Sequence, residues 1–529
     1  MSNNPRSRSK ISVPWIKPFI VLFVSAIVVY LFGRGVDHLF ILIKYNPFTH
    51  LFPEELDLLS NTLGGLAEVV TSVLSIEITA LAIIVQLAAN KYSSKIFELF
   101  FENRVNVIIL FIYVITAVVT VIAMNTLNSN ETAKFAYTIT QTLFLVIMSL
   151  VIVIPHFNYV FHFLRPDNFL LYVEDEIRNE LERVANGGRN NKEFVEQKKI
   201  VVNDKINFIG DVAINSITAG DRATTLMCIT SLRNVLSCYI GLKSKLPERW
   251  NDLSGDVLLD PDFASFAPNV LDNIAKKRIF LETKVFRLYE MLFEYGRKSM
   301  RDVMSGILLS MEHIAKNAMT NKDDDTLHMS FQYMNTFLRI GIREKDPRTV
   351  FTALEHYRLM AEETLNYKPQ LAEDLSYYFK YYGHEAVKNN VLFILETAAY
   401  DMCLLNERAY EKKTENIDKL LDIFLTLDQP IEDTEGAGES KEEISLIGVR
   451  IAQIRLAAFY LLNGESGLAK RIFNDLKVEP IQRIRKIKEI ILGTQNEEFW
   501  EITPRGINFY FIPDDRKDAL KSFFKWFDI

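Results

Sequence analysis

Hydrophobic positions are spread unevenly along this chain. In its first third they crowd into long unbroken blocks; beyond residue 165 they recur every three or four positions among charged residues. Blocks of that kind predict helices surrounded by lipid, whereas a three-to-four-residue period predicts helices with one face in a protein core. Pro18–Gly33 is charge-free between Lys17 and Arg34, both able to snorkel to an interface. Val105–Asn130 is charge-free for 26 residues and Phe135–Leu164 for 30. Leu66–Asn90 is apolar enough to cross a bilayer, yet it carries Glu68 and Glu77. The pattern predicts four transmembrane helices within residues 18–165, preceded by a basic tail at 1–17. The connection Val36–Gly65 contains Pro47 and Pro53 and is expected along the interface, with a short amphipathic piece at Pro53–Leu63.

The remainder reads as mainly helical. Asn168–Val173 is short and apolar enough for a strand, and a charged helix is expected from Glu174 to Ala185, ended by Gly187-Gly188. Asp211–Gly220 reads as helical, and Asp221 is placed to cap the next helix. Six amphipathic helices are then predicted at Leu271–Tyr295, Met300–Asn317, Thr326–Ile340, Arg348–Leu365, Leu371–Tyr382 and Ala386–Leu404. No repeated consensus stands out. The segment 428–443 is an acidic linker between a helical domain (166–427) and a C-terminal region (444–529) with helices at Ile444–Leu462 and Ser466–Leu476. Phe499–Thr503 and Ile507–Pro513 flank Pro504-Arg505-Gly506, which predicts a β-hairpin. A last helix is expected to bury Leu520, Phe523, Phe524 and Phe527. The expected fold class is an all-α membrane protein: four N-terminal transmembrane helices, then a large, mainly α-helical cytosolic domain with a small C-terminal β-hairpin.

Charge sharpens this division. The 529 residues carry 60 Lys/Arg and 67 Asp/Glu, a formal charge of -7, but residues 1–165 hold only eleven of the former and nine of the latter. Such asymmetry excludes a simple globular enzyme and a nucleic-acid binder that works by neutralising phosphates. Arg6, Arg8, Lys10 and Lys17, then Lys91, Lys95 and Arg104, then Arg165 fall on one side of the expected spans, against Arg34, Lys44 and Lys134 on the other. This bias places both termini and the large domain in the cytoplasm, in a cell inner (plasma) membrane. Cys228, Cys238 and Cys403 all fall in that domain and form no metal-ligand spacing.

Candidate chemistry concentrates in the second span. Glu68, Ser72, Ser75, Thr79, Gln86 and Asn90 recur at helical spacing and form a polar stripe, while Glu77 stands about 180° round the helix among aliphatic residues. The stripe lines an aqueous path, within a bundle or around an oligomer axis, serves as helix-helix glue, or belongs to a peripheral or tilted helix. Glu77 must be neutral, paired or turned toward polar protein or water, because a carboxylate at mid-span is costly when charged. In the last span Pro155 frees a backbone carbonyl, and His156 beside it is a candidate gate or relay, the plainer expectation being contact with headgroups.

Val73–Arg104 resembles the most recognisable segment of an uncharacterised prokaryotic integral membrane protein family, a domain of unknown function. Gln86, Tyr92 and Ser93 match its pattern, and Ser94-Lys95 stand where the family has proline and arginine, keeping the charge but losing the rigid turn. Asp221, Thr224 and Cys228 match a second family segment, whereas Gly220 and Arg222 do not. The resemblance covers roughly residues 15–250. It implies four N-terminal transmembrane helices with a cytosolic tail, and it implies no activity.

No phosphate-binding glycine loop, HExxH or dinucleotide fingerprint is present, and the eight histidines are dispersed, so no catalytic residue, cofactor or metal is assigned. The expected partners are the lipid bilayer, further copies of the chain, and a cytosolic protein or small-molecule ligand; no nucleic acid is expected. The leading reading is an oligomeric ion channel or solute-conducting pore regulated by its cytosolic domain. The alternative is a non-conducting membrane-anchored scaffold or sensor, with a membrane enzyme behind both.

Overall fold

The computed structural model describes residues 16–49, 56–126, 132–187, 191–253, 260–429 and 447–529. The acidic segment Pro430–Glu443 and the basic tail up to residue 15 lie outside these. The chain divides into two compact units, Met1–Phe169 and Leu170–Ile529.

The first unit contains α1 (Ile16–Ile43), α2 (Leu56–Lys91), a short α3 (Ile96–Glu102), α4 (Arg104–Thr126) and α5 (Ala136–Phe163). Helix α4 packs against α1, α2 and α5. The outward side chains are overwhelmingly aliphatic or aromatic, among them Val21, Phe32, Ile76, Leu87, Ile108, Phe144 and Ile154. That is the surface expected of helices solvated by acyl chains rather than water. Two elements run further than the apolar blocks. Helix α1 continues through Arg34 and Asp37, and α2 starts at Leu56, so the described part of the expected interfacial piece belongs to the same helix as the span.

Asp37 explains the extension of α1. It is 1% exposed, and its carboxylate caps the start of α5 from a different helix. Oδ1 accepts from the Tyr137 N–H at 2.9 Å, and Oδ2 accepts from the Thr138 N–H at 3.0 Å and the Thr138 hydroxyl at 2.5 Å. The cap answers N–H groups that a helix start leaves unbonded. The Arg34 guanidinium lies 3.7 Å from the Phe135 ring centroid and donates to the Lys134 carbonyl. One turn deeper, Gln141 donates to the Val29 carbonyl, and a Cβ on Gly33 would collide with the Gln141 side chain; glycine is what lets the two helices approach.

The described part of the second unit is helical apart from short links and the irregular stretch 494–513. Its helices are α6 (Pro166–Gly187, starting just before the division), α7 (Lys192–Thr218), α8 (Arg222–Leu242), α9 (Pro261–Ala264), α10 (Pro268–Lys276), α11 (Phe280–Ser299), α12 (Arg301–Thr320), α13 (Asp324–Arg343), α14 (Pro347–Tyr367), α15 (Pro369–Lys388), α16 (Phe393–Glu411), α17 (Ile417–Leu425), α18 (Ile447–Leu462), α19 (Ser466–Leu476), α20 (Ile481–Gly493) and α21 (Lys517–Phe524). One turn design recurs between them. A residue at positive φ (Gly220, Lys322, Lys345, Asn390, Lys413 or Gly464) ends one helix, and the next N–H bonds back five residues, as Asp221 does to Ser216, Asp323 to Ala318 and Asp346 to Gly341. This is the left-handed helix stop. In three of these turns the following aspartate also caps the next helix, Asp221 through Thr224 N, Asp323 through Thr326 N and Asp346 through Thr349 N. The shared Asp-x-x-Thr spacing is therefore a repeat of turn chemistry rather than of core residues.

Several expectations need correction. Five described helices, not four, are long and apolar enough to cross a membrane: Ile20–Ile43, Ser60–Lys91, Arg104–Thr126, Ala136–Phe163 and Arg222–Lys245. The fifth lies in the second unit, where α8 packs on α7 and α12. Among the described residues there is no β-strand, so the C-terminal hairpin does not form; only an isolated bridge joins Glu498 and Ile507. The Thr503–Gly506 turn is present, with Gly506 at φ 62, and two backbone bonds join its arms, from the Phe499 N–H to the Gly506 carbonyl and from the Asn508 N–H to the Glu497 carbonyl, while side chains of the arms dock on helices. The Arg505 guanidinium is buried against Asp401 and stacks over the Phe351 ring, and Phe509 lies 4.0 Å from the Tyr400 ring centroid. Asn168–Val173 is helical, within α6. Leu271–Tyr295 is two helices broken at Arg278, and the expected helix at Ala386–Leu404 straddles a turn at Asn390. The last helix does bury Leu520, Phe523 and Phe524, while Phe527 is half-buried against Phe473.

Candidate functional site

The polar residues of α2 divide into two sets facing opposite ways. Glu68, Ser72, Ser75, Thr79, Gln86 and Asn90 are all exposed on the outside of the first unit. They fall within about 60° of arc, so they form a continuous polar strip along an otherwise apolar surface. Part of the strip is self-satisfied: the Ser75 hydroxyl donates to the Thr71 carbonyl and the Thr79 hydroxyl to the Ser75 carbonyl, both at 2.8 Å. The carboxylate of Glu68 and the amides of Gln86 and Asn90 cannot be satisfied in that way to the same extent.

Glu77 faces inward. It is 1% exposed, and its Oε1 lies 2.5 Å from Nδ1 of His156, which is fully buried. His156, expected at headgroup level, is thus the partner of the span's one inward carboxylate. At that distance the two groups are in direct hydrogen-bond contact, with the roles of donor and acceptor set by the imidazole tautomer. The Tyr113 hydroxyl of α4 stands beside the Glu77 carboxylate and interacts with it. Pro155 is interior to α5 and removes the N–H that would have bonded to the carbonyl of Val151, loosening the helix immediately before His156.

The pair belongs to a longer inner row. On α5, Thr138, Thr142, Ser149 and His156 are all buried, and on α4 so are Asn106, Tyr113, Thr116 and Thr120. The spacing is three, four or seven residues, which keeps one face of each helix turned inward. The Tyr159 hydroxyl donates to Asn103 Oδ1 at 3.0 Å and fixes the register of the two antiparallel helices. Counting from that bond brings Asn106 level with His156, Tyr113 with Ser149, and Thr120 with Thr142, in steps of about 10 Å. Sequence reasoning missed this row because Thr and Ser inside an apolar run read as ordinary helix-packing residues.

The other singled-out residues have local roles. Tyr92 is buried with its ring 5.5 Å from that of Phe169, the Ser93 hydroxyl accepts from the Lys95 N–H, and Lys95 is half-buried. Asp221 is the N-cap of α8, Thr224 supplies the capped N–H, and Cys228 is fully buried. Charged side chains of the second unit mostly tie helices together. Lys284 bridges Asp260 and Asp262; burial alone would raise the Asp260 carboxyl, but the Lys284 ammonium and the Asn203 amide more than offset that and hold it below the usual carboxylate range. Burial pushes the Cys403 thiol up, away from nucleophilic use. A cleft of about 420 Å³ lies between α12, α14 and the C-terminal arm, with Arg301 and Arg348 balanced by Asp302 and Glu501.

Residues 12–231 match the family described as Predicted membrane protein (DUF2254). The chain is a multi-pass membrane protein. It associates with the lipid bilayer through several of its helices, and the matched region runs on into α8 of the helical second unit. No curated protein matches the chain. A solved structure described as "Circular tandem repeat protein with novel repeat topology and enhanced subunit contact surfaces" overlaps 88% of this chain and 97% of its own, at 11% identity and a TM-score of 0.34.

Proposed function

We propose that copies of this chain meet along the outward polar strip of α2 and enclose an aqueous path for small cations, with the helical second unit regulating it. The observation that carries this reading is the exposure of all six strip residues on a surface that is otherwise apolar. A lone Glu presented to hydrocarbon is costly, and Gln and Asn add to that cost. Symmetric copies remove that penalty by turning the strips toward one another or toward shared water. The basic residues flanking α1, α2, α4 and α5 support a cytoplasmic N-terminus in a plasma membrane. On that orientation Glu68 lies toward the outer mouth, where a ring of carboxylates raises the local cation concentration.

Purified protein in planar bilayers tests this directly. Wild type should conduct with a preference for cations, Glu68→Gln should reduce the preference, and Thr79→Leu should reduce the current. A wild type silent under voltage, membrane tension and a pH series would contradict conduction and leave the strip as a packing face, to which the back-bonded Ser75 and Thr79 hydroxyls are equally suited.

A further inference from the structure

The inner pair of the first unit has chemistry that neither anchoring nor an axial path requires. His156 Nε2, Thr116 Oγ1 and Asn106 Oδ1 are all buried and have no hydrogen-bond partner among the described residues, and the Tyr113 hydroxyl interacts with the Glu77 carboxylate. Such unanswered atoms are a small minority in a protein interior, where nearly every polar atom is bonded. Each lost bond costs roughly 1–3 kcal/mol. Groups retained at that cost inside a bilayer generally serve a proton or an ion.

We propose that Glu77, His156 and Tyr113 form a proton-binding site inside each single chain. In the proposed basic state Glu77 is a carboxylate and His156 carries its one proton on Nδ1, so the pair has one net negative charge and Nε2 presents a free lone pair. A proton delivered from water forms an N–H bond at Nε2; nothing leaves, and the pair becomes an imidazolium beside a carboxylate with no net charge. Burial favours that neutralisation, because an uncompensated charge in a low-dielectric interior is costly. The groups facing the pair are few. Helix α4 contributes the Tyr113 hydroxyl and the neutral Asn106 amide, and α5 contributes His156 itself. The titratable residues of α3, Glu98 and Glu102, are exposed. Arg34 and Asp37 of α1 meet α5 around Thr138, about 27 Å along the helix from His156. The hydroxyls of Ser149, Thr142 and Thr120 continue the polar row away from the site, each donating to a backbone carbonyl of its own helix. Because Pro155 weakens α5 one residue earlier, the change in charge falls where that helix can bend.

This site is complete within one chain, so its test is independent of any assembly or current. The full chain in lipid nanodiscs is titrated between about pH 8 and pH 5 and followed by infrared difference spectroscopy. Wild type should show a reversible protonation signal from a buried carboxyl-imidazole pair, and Glu77→Gln and His156→Gln should each abolish it while circular dichroism shows the helices intact. Tyr113→Phe leaves the pair's own contact in place; it should keep the signal and displace its midpoint by about half to one pH unit. Absence of any pH-dependent signal in wild type, or a signal that survives both replacements, would overturn the proposal and make the pair a fixed link between α2 and α5. If the Gln variants fail to fold, an unmoved midpoint in Tyr113→Phe overturns it equally.

Discussion

Replacing Asp401 by Ala is expected to destabilise the second unit by about 3–5 kcal/mol, the range for removing one partner of a buried ion pair. Asp401 is fully buried and accepts from Arg505 Nη1 at 2.6 Å, from Arg505 Nη2 at 3.0 Å and from Arg358 Nε at 3.2 Å. Its loss leaves the Arg505 guanidinium buried with the neutral Phe351 carbonyl as a hydrogen-bond acceptor and the Glu355 carboxylate at 3.7 Å. Arg505→Met should cost less, because Asp401 keeps Arg358 and the methionine can still lie over Phe351. Both changes release the arm that carries Trp500 and Ile502, so faster proteolysis within residues 494–513 should accompany a lower urea midpoint. A midpoint unchanged in Asp401→Ala would mean that the arm is held by its aromatic contacts alone.

Asp37→Ala should produce the largest single loss in the first unit, about 2–4 kcal/mol. The figure combines a missing N-cap, worth about 0.5–2 kcal/mol, with the buried N–H groups of Tyr137 and Thr138 left unbonded. Asp37→Asn retains one acceptor oxygen and should lose roughly half as much. Thermal unfolding of the detergent-solubilised chain gives the comparison. Equal melting of wild type and Asp37→Ala would show that Arg34 on Phe135, together with Gln141 on α1, suffices to hold the start of α5.

How much of this the amino-acid sequence discloses depends on how far apart in the chain the interacting residues are. The bulk of α4 and α5 follows from two long uncharged runs. The inward turn of Glu77 follows from helical arithmetic, since 180° separates it from Glu68. Its partner does not follow, because His156 is 79 residues further on and nothing local distinguishes it from a histidine at the headgroups. Asp37 misleads for the same reason: a charge beside Arg34 reads as the end of a span until the start of α5, a hundred residues later, is seen to need it. In the second unit the helices are legible from their periodicity, but the stop at Asn390 is not, because apolar positions continue across it and a left-handed asparagine leaves little trace. The Pro-Arg-Gly turn is real; the strands beside it fail because Arg505 and Phe509 find partners on α14 and α16 that outbid pairing between the arms. The Asp-x-x-Thr turns lay open to recognition at 221, 323 and 346, had spacing around helix stops been compared rather than core positions.

On the proposed function the outward strip of α2 meets water and other copies rather than lipid. Ser72→Cys, Ser75→Cys and Thr79→Cys, each introduced with half-buried Cys238 replaced by Ser, place a thiol on the strip, while Cys228 and Cys403 remain buried. In native membranes the account predicts that all three react with membrane-impermeant, water-soluble thiol reagents and form disulfide-linked dimers on mild oxidation. Thiols that resist those reagents, in a chain that stays monomeric under oxidation, would contradict it.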